Sequence, residues 1–214
     1  MDFCVEDLPR VFASDLFDVE WTIPFCNGVE SLLKNSSSMV PSVEDFTAQE
    51  SFADLYLGYS NEELIAVFDV GVPISQTFYP EFKKGDAIEL IIDTHPKKDQ
   101  SITTRFVHHF VILPTPYEGV VAKEITRFRG NDSRSLVPDE LIKVSVTAYK
   151  KSYRLVFRLP LTSLKGFDEK TSCLGIGYRI HRYKGEFQEF PHNSQSVHFD
   201  VHPGLLASAL LGKK

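Results

Sequence analysis

Four titratable residues that could form a catalytic or binding site lie in two apolar, strand-like runs. Glu89 and Asp93 stand among β-branched residues of the first run, and Arg105 and His109 lie in the second. Two such carboxylates suggest a glycosidase pair, which needs about 5–9.5 Å between its carboxyl groups. Four strand residues separate Glu89 from Asp93, or roughly 13 Å at ~3.3 Å per residue. As a pair they therefore do not fit glycoside hydrolysis.

Strand alternation gives these residues another interpretation, since Glu89 and Asp93 share one face of their strand. If the runs pair antiparallel, one register sets Asp93 opposite Arg105 and Glu89 opposite His109, with aliphatic side chains opposite aromatic ones on the other face. A slip of one residue would set both carboxylates opposite phenylalanines, so we expect this register. The result is either a charge ladder on a partly buried sheet face, or the polar floor of a concave face that hydrogen-bonds a ligand.

Histidine placement argues against a metal site. His108 is predicted to face the apolar side of its strand as a hydrogen-bonded core histidine. Adjacent strand residues point in opposite directions, so His108 and His109 cannot bind one metal. Other histidines are widely scattered, and no loop spacing around Asp93 supports calcium. We expect no cofactor and no metal.

Catalytic motifs are missing from the sequence. It contains no GxSxG, HExxH, P-loop or GxGxxG pattern. We therefore expect a non-enzymatic protein, and an enzyme with an unrecognised site is the remaining alternative.

Composition narrows the partners and the compartment. The net charge of −6, from 23 basic and 29 acidic residues, argues against a nucleic-acid partner. Short basic groups such as residues 127–129 and Lys150-Lys151 are expected to be solvated. Three distant cysteines without a CxxC, and no secretory signal, predict a cytoplasmic location. No apolar run approaches the ~20 residues of a membrane helix. The apolar tail at 205–211 could dock on the body or on a partner.

The positioning elements are predicted to be strands. They are expected at residues 19–23, 53–59, 64–70, 142–148, 153–159, 174–180 and 197–201, in addition to the charged runs at 85–94 and 105–114. Residues 29–34 and 161–164 are expected to form helical turns, and 114–138 an irregular segment. The pattern predicts an all-β fold: an antiparallel two-sheet, jelly-roll-like β-sandwich with little helix. We expect one domain over 1–214, with a core at about 52–201, an N-terminal segment at 1–40 and a short tail at 203–214.

Several of these segments carry a family resemblance. The hairpin at 53–67, the run at 85–94 with its "gD-x-hE-h-h-h-D" pattern, residues 105–114 and the strand at 173–180 resemble family-nine carbohydrate-binding modules and related DOMON-like sandwiches. The likeness is to an uncharacterised bacterial branch of that group. It implies a non-catalytic β-sandwich that binds its ligand on one sheet face.

Sugar-binding members of that family clamp the sugar between tryptophans. Here the one tryptophan, Trp21, lies outside the matching region. Tyrosines could substitute as stacking platforms, and the candidates are Tyr56, Tyr59, Tyr79, Tyr178 and Tyr183. The expected ligand-binding residues are Glu89, Asp93, Arg105, His109 and Tyr178. The predicted function is a binding module for a polar ligand, carbohydrate by resemblance. The alternative is a protein-interaction or structural module that uses a sheet edge or the apolar tail.

Overall fold

The computed structural model describes residues 19–42, 51–129, 132–191 and 202–213. Within these ranges the chain forms one α-helix, α1 (Val29–Lys34), and short 3-10 turns that include Phe82–Lys84. The strands are β1 (Glu20–Ile23), β2 (Ala53–Tyr59), β3 (Glu63–Val70), β4 (Ala87–Asp93), β5 (Val107–Tyr117), β6 (Val120–Glu124), β7 (Lys143–Ala148), β8 (Tyr153–Pro160), β9 (Cys173–His181), β10 (Gln188–Phe190) and β11 (Ala207–Leu211). Among the described residues, no helix has the length and hydropathy needed to cross a bilayer.

The strands form two sheets. The large sheet has the order β1-β11-β9-β4-β5-β6, with β10 also paired to β9, and the small sheet has the order β2-β3-β8-β7. The ladders are antiparallel except for the parallel pair β1–β11. Their inner faces share one apolar core. This arrangement confirms the predicted antiparallel β-sandwich.

Alternation explains which side chains enter the core. In β8, Tyr153, Leu155, Phe157 and Leu159 are buried while the intervening residues are half-exposed. All seven residues of β4 are buried, because its outer face is also covered by loops. A strand buried on both faces has no water to solvate its polar side chains, so each of them requires a protein partner.

The prediction that residues 114–138 form an irregular segment is wrong for the first part of this segment. Its first part is the end of β5 and the whole of β6, which form a hairpin. Glu118 and Gly119 both have positive φ, 48° and 84°, as a two-residue type I′ turn requires. The prolines that suggested a loop lie beyond Ile112, where the β5–β6 register becomes irregular and proline is tolerated.

The apolar tail docks on the body as strand β11, between β9 and β1. Its ladder to β9 pairs Ala207 with Ile176, and its parallel ladder to β1 pairs Ala209 with Trp21. The predicted strand at 197–201 lies outside the described residues. The predictions for β1 and α1 are confirmed.

Helix α1 covers the outer face of the small sheet, and Gly58 makes room for it. Leu32 and Cys26 pack there against Ile65 and Val67. A Cβ at Gly58 would lie 2.7 Å from Cys26 Sγ and closer still to Leu32 Cδ1. The missing side chain therefore sets how closely the helix approaches the sheet.

We expect Gly58→Ala to lower the free energy of unfolding by about 1–3 kcal/mol, the usual range for overpacking. Urea unfolding measures this loss. In a Gly58→Ala/Leu32→Ala double variant the clashing Cδ1 is gone, so the combined loss should be smaller than the sum of the single losses. Additive losses would show that the helix does not need the gap at Gly58.

Candidate functional site

The register of β4 and β5 corrects the predicted charge ladder. Asp93 lies opposite Val107, Ile91 opposite His109, and Glu89 opposite Val111. The predicted pairs Asp93–Arg105 and Glu89–His109 are therefore wrong by two residues. The face assignments hold, because a shift of two keeps every side chain on its predicted side of the sheet.

Arg105 does not join Asp93. It lies in the turn before β5, with half of its side chain exposed, and its Nε is 3.3 Å from Asp132 Oδ1. Asp93 is fully buried and accepts hydrogen bonds from the His95 backbone N–H at 2.9 Å and from Gln100 Nε2 at 3.3 Å. Burial raises the pKa of Asp93, against the opposing effect of these donors. The carboxyl therefore holds the loop that follows β4.

Tyr178 lies on the inner face of the large sheet. Its ring stacks on Phe190 with centroids 5.5 Å apart, and its hydroxyl accepts a hydrogen bond from Gln188 Nε2 at 3.0 Å. It is 6% exposed and belongs to the core between the sheets. Of the five predicted ligand-binding residues, the structure brings together Glu89 and His109.

Glu89 is the centre of a buried polar cluster on the outer face of β4. Its side chain is 1% exposed. Oε2 accepts a hydrogen bond from His109 Nε2 at 2.8 Å, and Oε1 accepts one from His181 Nε2 at 2.6 Å. Arg179, opposite Glu89 on β9, donates from Nη1 to Oε1 at 3.4 Å. Three strand residues thus surround one carboxylate.

These donors decide the charge of Glu89. Burial alone would raise the pKa of this carboxyl, but hydrogen bonds from His109 and His181 outweigh it and hold the pKa well below its ordinary value. Because a carboxylate can only accept, Nε2 of His109 carries a proton. In the neutral imidazole Nδ1 is then an acceptor, and within the described ranges it has no hydrogen-bond partner. Glu89 therefore fixes the tautomer of His109.

A cleft of about 530 Å³ lies over this face of β4 and β5. Its volume is within the usual range for small-molecule sites. Glu89, His109 and Val107 line it, together with the half-buried ring of Phe82. The remaining lining residues are Pro80, Glu81, Lys83, Lys84, Thr103, Ile125, Thr126, Arg127 and Arg129. The polar floor of the cleft is thus framed by apolar walls and basic side chains.

Thr126 connects the cleft to a second buried cluster. Its hydroxyl oxygen accepts a hydrogen bond from the His109 backbone N–H at 2.8 Å and donates to Glu124 Oε1 at 2.6 Å. Glu124 is fully buried and receives Arg134 Nη1 on Oε2 at 2.9 Å. Burial alone would raise the pKa of Glu124, but hydrogen bonds from Arg134 and His108 outweigh it and lower the pKa to about 2.

His108 belongs to the same cluster, as the satisfied core histidine that alternation predicts. Its Nε2 accepts the Lys165 backbone N–H at 2.9 Å, and its Nδ1 lies 2.7 Å from Arg134 Nη2 and 3.2 Å from Glu124 Oε1. Burial lowers the pKa of His108, and the nearby Arg134 guanidinium lowers it further. Sequence patterns did not indicate Glu124 and Arg134, because their contact joins the edge of a hairpin to a loop.

A larger groove of about 1180 Å³ lies at the small sheet. Asp69 and Arg154 form a two-pronged ion pair along it, with Nη2–Oδ2 at 2.7 Å, and Tyr149 lies beside them. Ser42 and Ser51 also line it, and they flank residues 43–50, which the structure does not describe. Nowhere in the described ranges do three His, Cys, Asp or Glu side chains form a group that could hold a metal ion.

Comparisons with known proteins bear on the fold. No protein-family model matches the chain, and no curated protein matches it significantly. The fold is similar to that of a family-nine carbohydrate-binding module from Caldicellulosiruptor kristjanssonii in complex with cellotriose. The TM-score is 0.66 at 11% identity, over 92% of this chain and 95% of the other. The same organism's family-nine module in complex with glucose gives a TM-score of 0.62 at 11% identity, over 92% and 97% of the two chains.

Proposed function

We propose that this chain, which has the fold of the family-nine carbohydrate-binding modules, is a non-catalytic module that binds carbohydrate in the cleft over β4 and β5. The observation that carries the proposal is the fixed imidazole of His109 beside the half-buried ring of Phe82 in one cleft. The similar modules were solved with cellotriose and with glucose.

The chemistry of a sugar matches this pair of side chains. A pyranose has an apolar C–H face and a rim of hydroxyl groups. The Phe82 ring offers a flat apolar surface to the first, and His109 Nδ1 offers an acceptor to a hydroxyl proton. Glu89 has both oxygens occupied by protein donors, so its role is to orient His109 rather than to contact the sugar.

Aromatic residues other than those expected would supply the platform. Trp21 packs edge-on against Phe190, with ring centroids 5.6 Å apart, on the β1 side of the large sheet. The cleft lining contains none of the five candidate tyrosines. Phe82 was not among the candidates, because it lies in a 3-10 turn without periodicity.

The ionisation and burial of Glu89 also support a non-catalytic role for the protein. A general acid must carry a proton near neutral pH, whereas hydrogen bonds from His109 and His181 hold the pKa of Glu89 well below its ordinary value, against the effect of burial. A nucleophile must also reach the substrate, and the side chain of Glu89 is 1% exposed. The predicted cytoplasmic location stays a prediction.

Calorimetric titration with glucose and cello-oligosaccharides, after a glycan-array screen, tests the proposal. We expect Phe82→Ala and His109→Ala each to weaken the affinity at least about tenfold, which corresponds to roughly 1.4 kcal/mol. Tyr149→Ala, in the groove at the small sheet, is the matched control and should leave the affinity unchanged. Thermal unfolding of each variant establishes that it is folded.

Two results would contradict the proposal. One is a folded wild-type protein that binds no glycan. The other is a loss of binding in Tyr149→Ala with full binding in Phe82→Ala, which would move the site to the other groove.

A further inference from the structure

We infer that the carbohydrate is anionic, a saccharide with carboxylate or sulfate groups, and that the basic side chains around the cleft select it. This inference rests on the proposed function and specifies its ligand class. The basic rim consists of Lys83, Lys84, Arg127 and Arg129, which all line the cleft.

The basic rim is a concentration of positive charge on an acidic protein. The chain carries a net charge of −6, yet four cations line this one cleft against two carboxylates, Glu81 and Glu89. All four cationic residues are exposed. Across the described ranges, no carboxylate forms an ion pair with any of them, so their charge remains available to a ligand.

The floor of the cleft does not cancel this charge. Glu89 lies beneath the rim, but Arg179 and the two imidazoles donate to its oxygens. Even with Glu81 and Glu89 counted at full charge, the four basic side chains leave an excess of positive charge at the cleft. A cleft with uncompensated charge of one sign and low-dielectric walls focuses the potential and concentrates ligands of the opposite sign.

The two arginines are placed to act on the same anion. They flank the half-buried Phe128, and both are exposed and line the cleft. The half-buried Phe128 ring lies under the Arg134 guanidinium at 5.3 Å, and the Arg129 backbone N–H donates to the Thr103 carbonyl at 3.5 Å. The planar forks of Arg127 and Arg129 match carboxylate and sulfate oxygens.

The two lysines lie in the 3-10 turn Phe82–Lys84, which also carries the proposed sugar platform, Phe82. Lys83 Nζ lies 5.9 Å from the centroid of the Phe82 ring. Such a contact places the ammonium group over one face of the ring. The substituents of a sugar ring bound at Phe82 would therefore lie near the ammonium group of Lys83.

Calorimetry with matched neutral and charged oligosaccharides tests the inference. The probes are cellotriose, an oligogalacturonate, a sulfated cello-oligosaccharide and inorganic sulfate alone. We expect the charged saccharides to bind at least about tenfold more tightly than cellotriose at about 50 mM salt, and the difference to shrink at about 300 mM. Comparing the carboxylated with the sulfated sugar identifies which anion is preferred.

Rim variants separate this inference from the proposed function. Lys84→Gln/Arg127→Gln should bring the affinities for charged and neutral sugars together, while the control Lys150→Gln/Lys151→Gln should leave the preference for charged sugars unchanged. Equal binding of neutral and charged sugars would overturn the inference and leave the proposed function intact. Inorganic sulfate that binds as tightly as the sulfated sugar would also overturn it. No binding of any saccharide would instead refute the proposed function.

Discussion

Replacing Glu124 by alanine is expected to lower the free energy of unfolding by about 3–5 kcal/mol, the usual loss when one partner of a buried ion pair is removed. The Glu124 carboxylate is fully buried and receives the Arg134 guanidinium, the Thr126 hydroxyl and the Val137 backbone N–H. The side chain of Arg134 is 9% exposed. Without Glu124 its charge would stay buried and unpaired.

Urea unfolding at neutral pH measures the loss. The matched control is Asp139→Ala, which removes an ion pair with Lys123 in which both side chains are about half exposed. Exposed pairs contribute ~0–1 kcal/mol, so the control should change little. If both variants lose the same small amount, the cluster around Glu124 does not stabilise the fold.

The stability of the protein is expected to fall steeply in acid. Hydrogen bonds from Arg134 and His108 outweigh burial and lower the pKa of Glu124 to about 2, whereas an unfolded glutamate titrates near ~4.3. A group with a lowered folded pKa stabilises the fold fully above its unfolded pKa, and this contribution disappears as the pH falls through the folded value. For Glu124 the difference corresponds to about 3 kcal/mol.

Two other carboxyls modify this pH dependence. The pKa of Glu89 is also lowered, because its histidine donors outweigh burial, so it adds to the loss in acid. Burial raises the pKa of Asp93, so its protonation favours the folded state and partly offsets that loss. The loss of stability in acid therefore comes from the two glutamates, which both lose stabilising interactions on protonation.

Urea midpoints measured at about pH 7, 4.5, 3 and 2 would follow this loss. Glu124→Gln removes the titrating group and keeps a side chain of similar size, so its stability should depend less on pH in the acid range. A wild-type protein and a Glu124→Gln variant with parallel pH profiles would contradict the lowered pKa of Glu124.

The sequence predicts the sandwich because apolar alternation is strong where one strand face is buried. Strand β8 follows this pattern closely, whereas β3 is buried at most of its positions. The register of β4 and β5 could not be fixed in the same way. A shift by two residues keeps all faces unchanged, and its choice depends on where the connecting loop ends. Arg105 falls in that loop and not in the strand.

Part of the candidate site could be predicted from the sequence, because titratable residues in buried strands are easily recognised. Glu89 and His109 stand out as titratable residues within apolar strands, and burial forces such residues to find partners. Phe82 and Arg129 do not stand out, because neither lies in a periodic element. Tertiary structure brings them to one cleft, because the 3-10 turn of Phe82 and the segment that follows β6 both line it.

The position of β11 has a consequence for the order in which the protein can fold during synthesis. Strand β11 is the ladder neighbour that joins β1 to the rest of the large sheet. Residues 20–23 therefore leave the ribosome long before residues 208–211, with which they pair. Contacts of such large sequence separation form slowly. We expect β1 to remain unpaired on the nascent chain until β11 has been synthesised and has left the ribosome.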